Sequence, residues 1–240
     1  MAEKFKAGVL IIGSLDWDTA KARIHWRESR LDDDTQFLVG APIRYGRKSS
    51  SRGNTYTMVF SRLCPLGQAK VTAFCSLIAS PNDLIQEAEA LWAAEQKADP
   101  PNGEVCASWG SVGLLVSPGV KHPDSIIDGW KDRVAHEQKY GGIRQLPSEG
   151  TILRGGLLTF PWPTMIDSGN PVPLDFLLAT ATNPTIEGDP PSYPSAKQVA
   201  AAWERSDGQG FVEYFWNNRK SGIRTFEDDV IINNLTPDRR

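Results

Sequence analysis

The chain has 240 residues, of which 23% are charged and 40% hydrophobic, a globular composition that excludes disorder along its whole length. The formal charge of −3 withholds the basic footprint of a general nucleic-acid binder, so no DNA partner is expected. No run approaches the roughly 20 apolar residues of a membrane span, and the run Gly8 to Ile12 is too short for a secretion signal. No membrane association and a cytoplasmic location are expected. Cys64, Cys75 and Cys106 are odd in number and lack metal-ligand spacing, which suits a reduced compartment.

The first predicted element is Val9 to Ile12, short, apolar and β-branched, as in a strand buried on both faces. Gly13-Ser14 stops it. A polar, partly helical stretch follows from Asp18 to Leu31, then a turn at Asp32 to Asp34. Phe37, Val39, Ala41, Ile43 and Tyr45 alternate along one face of a second strand, and Arg47 to Gly53 is a loop. Thr55 to Ser61 and Lys70 to Ala79 are two more strands, the latter holding Cys75 as a small buried hydrophobe.

Ser80-Pro81-Asn82 caps the first clear helix, whose apolar stripe is Leu84, Ile85, Ala88, Leu91 and Trp92. Pro100-Pro101-Asn102-Gly103 is expected to end it. Val105 to Val116 is a strand. A second helix starts near Pro123, carries Ile126, Ile127, Trp130 and Val134, and is expected to end at Gly141-Gly142. Strands follow at Thr151 to Phe160 and Leu174 to Thr182, and a proline loop spans 183 to 194. Ser195 with Gln198 forms a capping box ahead of Val199, Ala202 and Trp203. Phe211 to Arg219 is an aromatic-rich helix, and Thr225 to Leu235 a short strand or turn. Strands come first and then mix with helices without βαβ alternation. This predicts an α+β fold with a mixed or antiparallel sheet, possibly closed into a barrel. No composition shift divides it, so residues 1–240 are read as a single domain.

Common catalytic signatures are absent. There is no Walker A loop, no GxGxxG after a strand and no GxSxG elbow. His25, His122 and His136 lack HExxH spacing and cysteine partners, so no metal site is expected. Two features remain. Gly13-Ser14-Leu15 closes an apolar strand, where glycine permits a close backbone turn and successive N–H groups form an anion-binding nest; a plain strand-to-loop turn is the alternative. Glu95 falls within the apolar stripe of its helix at about 100° per residue. There a carboxylate must pair, take up a proton or line a cavity, unless the helix frays before it. Glu87 and Glu89 lie off the stripe and read as solvated charges. A third candidate is the basic run Arg44, Tyr45, Gly46, Arg47, Lys48, then Arg52 and Gly53. Its arginines can clamp a carboxylate or phosphate or belong to a solvated loop.

An apolar strand running into Gly13-Ser14-Leu15, an Arg-Gly-containing turn at Arg44 to Gly53, and Glu95 near a helix end ahead of a strand together resemble the gamma-glutamylcyclotransferases, including their ChaC-type members. The likeness covers roughly residues 8 to 116. Ile12 stands where the family loop has tyrosine, and no glycine follows Glu95. The resemblance implies a small mixed barrel with flanking helices, a cyclotransferase-like core in the N-terminal half and an elaborated C-terminal half. It implies a small-molecule γ-glutamyl peptide or amine as substrate and 5-oxoproline as product, with no cofactor. Glu95 is then the catalytic base and acid, and Gly13, Ser14, Leu15, Arg44, Tyr45, Arg52 and Gly53 bind substrate. Two other readings stand beside it. One is a non-catalytic ligand-binding or regulatory protein on the same fold, marked by an exposed patch of Trp162, Tyr214 or Trp216. The other is a hydrolase with Ser14 or Cys75 as nucleophile.

Overall fold

The structure, a computed structural model, describes residues 3–137, 140, 143, 145–206 and 209–236. The fold is α+β with six helices and a mixed eight-stranded sheet. Its first strand, β1 (Ala7–Ile11), is buried at every position, as its unbroken apolar run requires. β1 pairs antiparallel with β5 (Gly67–Phe74) on one side and parallel with β10 (Phe176–Thr182) on the other. β2 (Leu31–Ala41) extends the sheet beyond β5. β7 (Gly110–Val116) extends it beyond β10, followed by the short β9 (Leu157–Leu158) and β8 (Leu153–Arg154). β6 (Cys106–Ala107) hangs on β7. The strand expected over 151–160 is thus a pair of two-residue strands, because Gly155 and Gly156 take positive φ between them.

The second predicted strand divides at Pro42. Residues up to Ala41 stay in the main sheet, while β3 (Ile43–Ser49) pairs with β4 (Thr55–Phe60) as a separate antiparallel ribbon. Asp32 to Asp34, expected as a turn, lie within β2 across a register shift between Asp32 and Gln36. Much of the expected loop at 47–53 is strand followed by a 3-10 turn, Ser50–Arg52. The ribbon touches the main sheet through β3 with β5 and β4 with β10. The pairing path from β2 to β8 stays open among the described residues, so backbone pairing does not close the sheet into a barrel.

Two groups of helices flank this frame. α1 (Lys21–Arg30), α2 (Pro81–Gln96) and α3 (Asp124–Ala135) pack side by side, with α2 in the middle and against β7. Ser80 and Asp83 form a reciprocal capping box at the start of α2. Leu84, Ala88, Leu91 and Trp92 are fully buried, as the stripe predicts. Glu87 is buried too and is not a solvated charge. It pairs with Arg30 at 3.2 Å, and burial raises its carboxyl above the usual range against the pull of that guanidinium. α2 is flanked by helices on both sides, so positions off its stripe are covered as well. α3 ends at Ala135; Gly141 and Gly142, expected to end it, lie outside the described residues. Cys75 is exposed, past the end of β5, rather than buried within it.

α4 (Ala196–Arg205), α5 (Gln209–Lys220) and α6 (Asp228–Asn233) form the second group. α4 and α5 pack on β4, and the Ser195–Gln198 capping box is present. The 225–235 segment is helical, with Asp228 accepting hydrogen bonds from the Thr225 N–H and hydroxyl at 3.0 and 2.7 Å. Phe211 and Phe215 pack on Tyr45 of the ribbon at ring-centroid distances of 5.7 and 6.2 Å, and Trp203 packs on the same two phenylalanines at 4.9 and 5.5 Å. Tyr45 is therefore an anchor for the second helix group, fully buried, and its hydroxyl has no hydrogen-bond partner among the described residues. A buried unpaired hydroxyl is destabilising. Tyr45→Phe is expected to raise stability by about 1 kcal/mol, read as a higher urea midpoint at unchanged m-value; a lowered midpoint would show that the hydroxyl is paired.

Candidate functional site

The residues after β1 turn sharply. The Ser14 carbonyl accepts the Asp18 N–H at 2.9 Å, and the Gly13 carbonyl accepts the Asp16 N–H at 3.3 Å. The N–H groups of Ser14 and Leu15 donate to no protein group among the described residues. Gly13 is required here by a close approach rather than by a left-handed backbone: a Cβ on it would lie 2.8 Å from the Tyr214 hydroxyl.

Arg23, in the first turn of α1, binds this turn to the end of α2. Its guanidinium donates to Ser14 Oγ at 2.7 Å, Asp18 Oδ2 at 3.0 Å and Glu95 Oε2 at 3.2 Å. It also donates to the carbonyls of Ala94 and Glu95 at 3.0 and 3.4 Å. Those two carbonyls lie in the last turn of α2, where a helix lacks internal donors and favours a cation. The helix therefore holds its form through Gln96, and Glu95 is fixed facing the loop. Of the three options open to a carboxylate on that stripe, Glu95 both pairs and lines a cavity. Beyond it Lys97 takes φ 58° as the helix terminates, and its ammonium reaches Asp18 at 3.1 Å. Burial works against ionisation of Asp18, but the Ala20 N–H, Arg23 and Lys97 outweigh it and hold that carboxyl below its usual range.

These elements surround a cavity of about 390 Å³. Gly13, Ser14, Leu15, Arg52 and Glu95 all line it, as do Arg23, Arg47, Lys97, Trp109 and Tyr214. Thr57 and Met58 of β4 form part of the wall, and Thr180 and Thr182 of β10 another part. The cations outnumber the carboxylates, and two arginines have no carboxylate within ion-pair distance among the described residues. Arg47 lies 4.8 Å above the Trp109 ring, itself stacked on Trp92 at 4.6 Å. Burial pushes the Arg47 guanidinium below the usual arginine value, with Glu95 opposing the shift and Arg52 adding to it. Arg52 lies 4.7 Å over the Tyr214 ring and donates to Ser14 Oγ at 3.1 Å. Tyr214 accepts the Met58 N–H at 3.2 Å, and burial raises its phenol. The cavity thus presents preorganised guanidinium groups to an anion.

Three of the sequence-selected binding residues lie elsewhere. Arg44 pairs with Glu227 at 2.9 Å and stacks over Tyr193. Tyr45 belongs to the aromatic anchor, and Gly53 terminates the 3-10 turn beside Ser206. The physical reason lies in long-range partners: Glu227 and Tyr193 hold Arg44 and the rings of α5 hold Tyr45, which leaves Arg47, past the bulge between Tyr45 and Arg47, as the β3 arginine that lines the cavity. Arg23, Trp109 and Tyr214 carried no local signal, since each reaches the cavity through packing. No histidine lines the cavity, and Ser14 Oγ already accepts from Arg23 and Arg52. That leaves a serine nucleophile without a base. Tyr214 is buried, and Trp162 and Trp216 are only half-exposed, so the three form no exposed aromatic patch.

No family model, no curated protein and no solved structure matches the chain. Among the described residues no helix is long and apolar enough to cross a membrane, and no group of three or more His, Cys, Asp and Glu could hold a metal ion.

The electrostatics of Asp18 give a pH signature. Its folded pKa is depressed, so its contribution to stability is complete above the unfolded value, about 4, and is lost as pH falls through the folded value. Asp18→Asn is expected to be less stable than wild type at pH 7, with the gap closing below about pH 4. Urea unfolding at pH 7, 5 and 3 measures it; a gap constant across that range would rule out the linkage.

Proposed function

We propose that the protein is a cyclotransferase-like enzyme that releases 5-oxoproline from a γ-glutamyl peptide or amine. The observation that carries this reading is the convergence of the Gly13-Ser14-Leu15 turn and Glu95 on one cavity, joined through Arg23. In this reading Arg47, beside Glu95, takes the glutamyl α-carboxylate. The Ser14 and Leu15 N–H groups receive the γ-carbonyl oxygen, where negative charge grows as the carbonyl carbon becomes tetrahedral. Glu95 removes a proton from the substrate α-ammonium group, and the freed amine attacks the γ-carbonyl carbon. The old C–N bond breaks as Glu95 gives that proton to the departing amine, and the carboxylate so freed takes the second proton from the ring nitrogen and passes it to the amine, which leaves as an ammonium ion. The Arg23 bridge from Ser14 to Glu95 supports the reading that both act on one bound substrate.

The small barrel of the resemblance becomes, in this reading, an opened one. Support comes from the cavity walls: β4 of the separate ribbon and β10 of the main sheet face the same space. A second reading, a non-catalytic binder of carboxylate ligands in the same cavity, is favoured by the ion pair that engages Glu95 Oε2.

The experiment is incubation of wild type and Glu95→Gln with a panel of γ-glutamyl peptides and amines, with 5-oxoproline detected. Wild type is expected to form product and Glu95→Gln to lose about 10²- to 10⁴-fold in kcat. Arg47→Ala is expected to raise KM by about ten- to a hundredfold, the value of a charge-assisted contact. Binding without turnover in wild type would favour the non-catalytic reading.

A further inference from the structure

Between α1 and α2 lies a separate cavity of about 350 Å³, within the size range of small-molecule sites. Ala22 of α1 and Ala90, Ala93 and Ala94 of α2 line it, with Ala98 just beyond the helix end. Alanines carry too little side chain to interdigitate, so the two helices leave a slot that larger residues would close. This cavity shares no lining residue with the one that holds Glu95. Successive residues face opposite ways: Ala22 and Ala94 line this cavity, while Arg23 and Glu95 line the other.

The polar groups of the slot are mainly donors. Trp26, only 3% exposed, forms part of the wall, and its indole N–H meets no acceptor among the described residues. A buried indole N–H ordinarily has a partner. Arg30 also lines the cavity. Its guanidinium gives one bond, to Glu87 at 3.2 Å, while its side chain stays 38% exposed. The one carboxylate of the lining is Asp99, which is exposed. Alanine methyls present a shallow, even surface that a flat ring covers fully, and a guanidinium supplies the fork that matches a carboxylate.

We propose that this cavity is a second ligand site, taking a small planar aromatic carboxylate. Its ring lies among the alanines and against Trp26, and its carboxylate accepts from Arg30 and the Trp26 indole N–H. Occupancy of this site requires nothing of the chemistry at Glu95.

The test uses the full chain and three probes: cinnamate; cinnamyl alcohol, which keeps the flat body without the charge; and cyclohexanecarboxylate, which keeps the charge without the flat ring. Calorimetry reads affinity. The indole N–H signals of an isotope-labelled sample read location, and the signal missing from Trp26→Phe is that of Trp26. Cinnamate is expected to bind saturably, to move the Trp26 signal, and to bind at least about tenfold tighter than either comparison compound. Arg30→Gln is expected to weaken it about ten- to a hundredfold, and Trp26→Phe about two- to tenfold. Ala98→Leu, at a position that is only half-buried, fills the slot and is expected to abolish binding while the chain stays folded. The arginines of the first cavity also attract carboxylates, so Arg47→Ala is the control and should leave cinnamate affinity unchanged. No saturable binding to wild type would overturn the site. So would affinity lost in Arg47→Ala but kept in Arg30→Gln and Ala98→Leu, or cinnamyl alcohol binding as tightly as cinnamate.

Discussion

A single guanidinium, that of Arg23, meets three parts of the chain at once, the turn after β1, the first turn of α1 and the last turn of α2. Its side chain is 6% exposed, and taking a charge that far out of water costs several kcal/mol. The cost is offset because nearly every donor finds an acceptor: two carboxylates, one hydroxyl and two carbonyls at the end of α2. The turn after β1, the first turn of α1 and the last turn of α2 are thereby fixed relative to one another. Arg23 thus sets where Glu95 points and occupies one acceptor direction of Ser14. Without it, the Glu95 carbonyl would lose its donor and the Glu95 carboxylate its ion-pair partner.

The other side of the cavity is organised by aromatic surfaces. Arg47 rests on Trp109, which rests on Trp92 of α2, and Arg52 rests on Tyr214 of α5. A guanidinium spread over a ring is held by the ring's π face and keeps its charge. Both arginines are therefore held in place without being neutralised, which is the condition for receiving an anionic ligand. Tyr45 and the rings of α4 and α5 supply the rigid backing. Core packing and binding electrostatics here are parts of one arrangement.

Features encoded by local pattern were legible in the sequence. The apolar run of β1, the stripe and cap of α2, the capping box of α4 and the α+β class follow from periodicity and turn chemistry. So did the two halves of the candidate site: a glycine–serine turn ending a buried strand, and a glutamate on an apolar helical stripe. What failed was whatever depended on register or long-range contact. Arg44 is held away from the cavity by Glu227 and Tyr193, which lie 183 and 149 residues further along the chain. Val230-Ile231-Ile232 has the composition of a strand, yet the hydrogen bonds from Thr225 to Asp228 start a helix. Glu87 looked solvated because the wheel of one helix does not show that helices flank it on two sides. Tyr214 is 201 residues from Gly13, and nothing at either position announces their meeting.

The placement of β1 between β5 and β10 also governs how the molecule is built over time. Its partner on one edge comes from residues 67–74 and on the other from residues 176–182. During synthesis the most apolar strand emerges early but stays unpaired along one edge until most of the chain has followed it. Closing so long a loop is entropically costly and slow, and an open apolar edge is a template for pairing with another chain. The turn that follows β1 inherits this timing, because its last wall, Tyr214, emerges later still. The cavity is therefore complete only once α5, which carries Tyr214, is in place.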